Sequence, residues 1–162
     1  MKTELEPIKQ NLYEADYVRW VETTAELLRT QNYDCVDWVN LIEEFEDMSR
    51  RERKSLKNNL VVILLHLLKW QYQPECRTGS WRGSIREHRR RVNEDLKDSP
   101  GLVPYFEAVF DECYAHAREQ AADETGLPLE TFPVNCHFSP EQALNAEYLA
   151  FRREAPRSIR FG

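Results

Sequence analysis

Apolar residues recur along most of the chain at spacings of three and four, the period of an amphipathic helix rather than the alternation of a strand. Tyr17, Trp20, Val21, Thr24, Leu27 and Leu28 fall on one face of a first helix over about 14–29, and a polar break follows at 31–34. A second helix is expected from a cap near Asp37, with Trp38, Leu41, Ile42, Phe45 and Met48 turned inward. Ser49-Arg50-Arg51-Glu52 reads as a capping box, in which the serine oxygen accepts from an amide three residues on and the glutamate reaches back. It would start a third helix over about 50–71. Leu56, Leu60, Ile63, Leu64, Leu67 and Gln71 form that helix's main stripe, widened by Val61, Val62, Leu65 and Leu68. A helix apolar nearly all round must be covered on several sides, so this one is expected to be central.

Pro74 ends it, and a loop over 77–80 leads to a fourth helix, about 81–97, with Trp81, Ile85, His88, Val92 and Leu96 on a narrow stripe. Ser99-Pro100 opens a fifth helix carrying Leu102, Phe106, Val109, Phe110, Cys113, Ala117 and Ala121; Thr125-Gly126 supplies a left-handed stop. The segment 126–138 reads as extended, pinned by Leu129, Phe132 and Phe138, and Ser139-Pro140-Glu141-Gln142 caps a last short helix. The expectation is an all-α fold: a single helical bundle of four to five long helices with an extended C-terminal segment and a short terminal helix. It divides into an N-terminal extension (1–12), the helical-bundle domain (13–151) and a basic tail (152–162).

With 162 residues the chain is long enough for one core without disulfide or metal staples. The longest apolar run, Leu60 to Leu65, is far short of the roughly 20 residues that cross a bilayer. No apolar run follows the charged start, so neither a secretion signal nor a membrane span is expected and the reading is a cytoplasmic protein. Cys35, Cys76, Cys113 and Cys136 contain no C-x-x-C pair and read as free thiols.

Charge changes the picture more. The net charge is −6, yet residues 1–49 carry −8, 50–97 carry +8, 98–150 carry −9 and 151–162 carry +3. One reading pairs basic helices with acidic neighbours inside the bundle. The other makes Arg82, Arg86, Arg89 and Arg90, with Arg91 adjoining, a ridge beside Trp81 that meets a partner. Arginine forks there suit an acidic protein surface first and nucleic acid second, because an acidic chain gains little from counterion release.

Chemistry is sparsely marked. His66, His88, His116 and His137 form no H-x3-H or H-E-x-x-H pair, so no metal and no cofactor is expected. Cys136-His137 are neighbours in sequence, which does not make a catalytic pair. No Walker loop, G-x-G-x-x-G or G-x-S-x-G is present. His66, Trp70, Tyr72 and Arg77 surround the one irregular interhelical loop and form a candidate pocket, the place a small-molecule or metal-dependent enzyme would use. An interaction module working through the basic helix is the preferred reading, ahead of a nucleic-acid binder and of an enzyme.

Several stretches are distinctive together: His66-Leu67-Leu68-Lys69-Trp70-Gln71-Tyr72-Gln73-Pro74, then Ser80-Trp81-Arg82 and Ile85-Arg86, and Glu124-Thr125-Gly126-Leu127-Pro128-Leu129-Glu130-Thr131-Phe132-Pro133. With Tyr13-Glu14-Ala15-Asp16-Tyr17 and the segment from Asp37-Trp38 to Glu44, they resemble the bacterial family called domain of unknown function 29, frequent in cyanobacteria. The resemblance spans about residues 12–150 and implies an all-α, stand-alone bacterial cytoplasmic protein. It brings no activity, substrate or catalytic residue with it.

Overall fold

A computed structural model describes residues 12–149. Helices dominate these residues and no strand occurs among them, as the three-and-four spacing predicts. The contacts divide the chain into two compact units, Met1–Arg51 and Glu52–Gly162, where the sequence reads as one bundle.

In the first unit a helical turn at 12–15 leads to α1 (Tyr17–Arg29). Asp16 caps it, its carboxylate accepting from the Arg19 amide at 3.0 Å. The helix closes in a Schellman pattern: the Asn32 amide donates to the Leu27 carbonyl at 2.8 Å and the Gln31 amide to Leu28 at 3.1 Å. Gln31 takes the left-handed conformation, φ 58°, that glycine fills most cheaply. Trp20, Val36 and Leu41 form a small core there, with Leu12, Tyr13, Leu27 and Leu28 packed against it.

The next helix corrects the sequence reading. α2 runs from Trp38 to Tyr72, 35 residues without interruption, so the break and capping box expected at Ser49 do not form. The reason is local. Residues 43–52 contain no glycine or proline, and Arg50 pairs back one turn to Asp47, its Nε 3.0 Å from the carboxylate. A serine caps only where the chain before it has left the helix.

In the second unit the C-terminal part of α2 is as central as its composition predicts: Leu56, Leu60, Ile63, Leu64, Leu67 and Leu68 are fully buried. They pack with Ile85 and Val92 of α3 (Gly79–Asp98) and with Phe106, Val109, Phe110, Cys113 and Ala117 of α4 (Val103–Thr125). Thr78 caps α3, a 3-10 turn at Pro100–Leu102 leads into α4, and Gly126, φ 71°, ends α4 in the left-handed conformation. Phe132 and Phe138 then fasten the extended segment to the core. The capping box at Ser139 and Gln142 starts α5 (Pro140–Leu144) as its sequence predicts.

The same segment is held by side-chain donors. Arg118 donates from Nε to the Phe132 carbonyl at 2.8 Å and from Nη2 to Leu129 at 3.0 Å. Tyr114 Oη donates to the Pro133 carbonyl at 2.7 Å.

Basic α2 and acidic α4 pair as the charge blocks suggest. Lys57 reaches Glu112 at 2.5 Å and Lys69 reaches Glu124 at 2.6 Å. The four cysteines are free, also as expected.

Candidate functional site: an apolar groove with a buried carboxylate

Not every apolar stripe is covered. In the first unit, Ile42, Phe45 and Met48 of α2, expected to face inward, are 55%, 60% and 56% exposed. Tyr17, Val18, Val21, Trp38 and Val39 are exposed as well. Single exposed hydrophobics are ordinary, but a contiguous set marks an interaction surface.

Four of these side chains, Tyr17, Val21, Phe45 and Met48, border a groove of about 250 Å³ between α1 and α2. Val21 and Leu28 line one wall, Phe45 and Met48 the other, and Trp20, Thr24 and Leu41 form the floor. From Tyr17 to Leu28 the α1 wall runs about 16 Å, about three helical turns. The groove follows from the sequence directly: both helices carry more apolar residues than one helix pair can bury.

One polar group sits in it. Glu44 lines the groove and is only 8% exposed. Its carboxylate accepts from Tyr13 Oη at 2.6 Å and from Tyr17 Oη at 2.9 Å. Those two hydroxyls hold its pKa below the ordinary glutamate value, against the opposing effect of burial. The reciprocal effect pushes the Tyr13 hydroxyl up to about 12, through its hydrogen bond to Glu44 first and burial second. Glu44 is therefore a fixed negative charge at neutral pH. It forms no ion pair with a described residue; Arg50 pairs with Glu46 and Asp47 instead. On the groove floor the indole N–H of Trp20 is buried without an acceptor among the described residues.

The ridge that helical spacing suggests on α3 comes apart. Arg89 is buried, 3% exposed, and donates from Nε to the Ala143 carbonyl at 2.7 Å and from Nη2 to Gln142 at 3.3 Å. Burial lowers its pKa to about 10. Arg90 is bound by Glu87 at 2.9 Å and Glu94 at 2.6 Å, and Arg91 by Glu87 at 2.9 Å. The two guanidinia hold the Glu87 carboxyl down to about 2. Only Arg82 and Arg86 of the expected ridge remain exposed without an ion pair to a described residue. Trp81 is half-buried under the Lys69 ammonium, 4.5 Å from its ring centre.

The residues expected to form a pocket around the interhelical loop are engaged by their own neighbours. Arg77 lies over the Trp70 ring at 5.1 Å and donates to the Trp70 carbonyl at 2.7 Å. Tyr72 packs edge-on against Phe132 at 5.2 Å. His66 turns its Nδ1 to the Val62 carbonyl at 2.9 Å, and burial, the largest effect on it, lowers its pKa. No group of three His, Cys, Asp or Glu side chains able to hold a metal occurs among the described residues.

Cys136 and His137 do border a cleft with Asp111 and Phe110. They point to different partners: the Cys136 thiol donates to the Phe138 carbonyl at 3.2 Å, and His137 Nε2 meets Gln71 Oε1 at 2.6 Å. Burial pushes the thiol up to about 11, which keeps it protonated and unreactive.

The groove's apolar residues were visible in the sequence, but Trp38, Ile42, Phe45 and Met48 read as a covered face, because helical spacing does not tell which face stays exposed. Its buried glutamate carried no sequence signal, because a tyrosine pair four residues apart and a glutamate 27 residues on meet only in the folded unit.

The described residues thus define an all-helical protein with an open apolar groove in its first unit, and no helix among them is long and apolar enough to cross a membrane. By sequence the chain belongs to the family described as Domain of unknown function DUF29, whose model matches residues 12–149. Comparison with curated proteins and with solved structures gave no match.

Proposed function

We propose that this chain is a protein-interaction module of the bacterial cytoplasm whose groove receives one basic amphipathic helix of a partner protein. The observation that carries the reading is Glu44, an ionised carboxylate set into an apolar groove and held by two tyrosine hydroxyls, with Arg51 near enough to act on its charge but not to form an ion pair with it. A lysine or arginine of the incoming helix pairs with the carboxylate, while apolar residues spaced at three and four fill the trough between Val21 and Phe45. Residues 12–51 carry ten acidic and four basic side chains, so the surroundings favour a basic partner in approach as well as in contact. This reading moves the interaction surface from the arginines of α3 to the first unit and reverses the charge of the expected partner. Nucleic acid is disfavoured by the same acidic surroundings.

A photoreactive phenylalanine analogue at position 45, cross-linked in native cytoplasm, with mass-spectrometric mapping of the attached peptide, tests it. The expected product is one recurrent segment of another protein, apolar at helical spacing and rich in lysine and arginine. Its yield should fall at least about tenfold on Glu44→Gln, which removes the charge and keeps the shape. Cross-links confined to this chain, or scattered over segments with no shared pattern, would refute the proposal.

A further inference from the structure

The arginines of α3 that remain after the internal pairs are subtracted have a geometry of their own. Arg82, Arg86 and Arg89 stand at i, i+4 and i+7, on one face of the helix. With Ile85 below them and Ala146, Glu147 and Leu149 opposite, they line a cleft of about 110 Å³ in the second unit.

Arg89 is the unusual member. A guanidinium so deeply buried ordinarily has a carboxylate beside it. Here its Nε and Nη2 are spent on the neutral carbonyls of Ala143 and Gln142, and no described acid forms an ion pair with it. Burial accordingly works against its charged form. Tyr148 is the other titratable group near it, and burial raises the pKa of that hydroxyl, so it is neutral at pH 7 and supplies no countercharge. Glu147 is the one acid lining the cleft; it forms no ion pair with any of the three arginines and adds one negative charge against three positive.

We propose that this cleft is a binding site for a phosphate-class oxyanion, with Arg82 and Arg86 as its forks and Arg89 as the buried charge behind them. Guanidinium groups match tetrahedral oxyanions with paired N–H donors, and a partly enclosed cleft strengthens such pairs over exposed ones. The cleft has room for an ion of phosphate size with accompanying water. Because Arg89 also holds the carbonyls at the end of α5, an ion here would tie α3 to the terminal segment. Free inorganic phosphate and the phosphate group of a larger molecule present the same chemistry; the first is the probe.

The test is calorimetric titration of the whole chain with inorganic phosphate at constant ionic strength, in wild type and in the Arg82→Gln, Arg86→Gln and Lys54→Gln variants. Arg82, Arg86 and Lys54 are all exposed, so none of these changes threatens the fold. Saturable binding is expected, weakened roughly tenfold or more by either arginine change and less than about twofold by the lysine change. A parallel titration with acetate should give binding at least about tenfold weaker than phosphate. Absence of saturable binding at millimolar phosphate overturns the site, as does equal weakening by all three substitutions, which would be the signature of general charge attraction. Acetate binding as tight as phosphate overturns the phosphate class.

Discussion

Two aliphatic residues on one helix provide the sharpest check on the arrangement, because sequence periodicity treats them alike and the fold separates them. Leu64 is fully buried in the second unit, whereas Ile42 in the first is 55% exposed. Truncating Leu64 to alanine removes side-chain carbons worth about 2 kcal/mol in transfer from water, and the surrounding Leu60, Leu67 and Leu68 collapse only partly into the space. The expected loss is about 2–5 kcal/mol. Ile42→Ala forfeits about half of that transfer energy at most, opens no cavity because the site already meets solvent, and gains several tenths of a kcal/mol of helix propensity. Its net effect should be about 0.5 kcal/mol or less. Urea denaturation followed by circular dichroism and tryptophan fluorescence measures both, with a transition fitted for each of the two units. A loss below about 1 kcal/mol for Leu64→Ala, or equal losses for the two variants, would refute the division of α2 into a covered and an uncovered part.

Ser49 and His66 give two further checks. Ser49→Ala should change stability by less than about 0.5 kcal/mol, or raise it, since alanine is the better interior helix residue; a loss of about 1 kcal/mol would restore the helix break that α2 lacks. Burial lowers the His66 pKa in the folded chain, so near and below the ordinary histidine value of about 6.5 the unfolded chain binds more protons. Stability at this site is therefore present at neutral pH and lost as pH falls through that value, and His66→Gln should flatten the denaturation midpoint between about pH 7 and pH 5. An unchanged pH profile in the variant would show that the imidazole is equally protonated in both states.

Much of the architecture was legible because helix signals are local. Gly126, the Ser139–Gln142 box and the apolar girdle of 56–68 each act within one turn of their own position, and each stands where its signal puts it. Ser49 failed for a physical reason: a capping signature is permissive, and the Asp47–Arg50 pair with its breaker-free surroundings kept the chain helical through it. The α3 ridge departs from its sequence reading for a different reason. Helical spacing correctly placed Arg82, Arg86 and Arg89 on one face, but spacing does not tell which face is covered, and Arg89 lies beneath the terminal segment. Arg90 and Arg91 were one turn from Glu87 and Glu94, an internal pairing open to inspection in the sequence itself.

The fastening of the segment between α4 and α5 has a consequence for what the chain tolerates. Residues 126–139 are secured at separate points, by Arg118 to the carbonyls of Leu129 and Phe132, by Tyr114 to Pro133 and by the sunken rings of Phe132 and Phe138. A strand that gains a residue can slip along its neighbour and re-form its ladder. This stretch cannot, because its positions are spaced to the reach of two side chains on a rigid helix. Lysine in place of Arg118 would offer a single ammonium to two carbonyls that a fork now spans. The segment is therefore free to vary in composition at its outward positions, such as Val134, and held almost fixed in length.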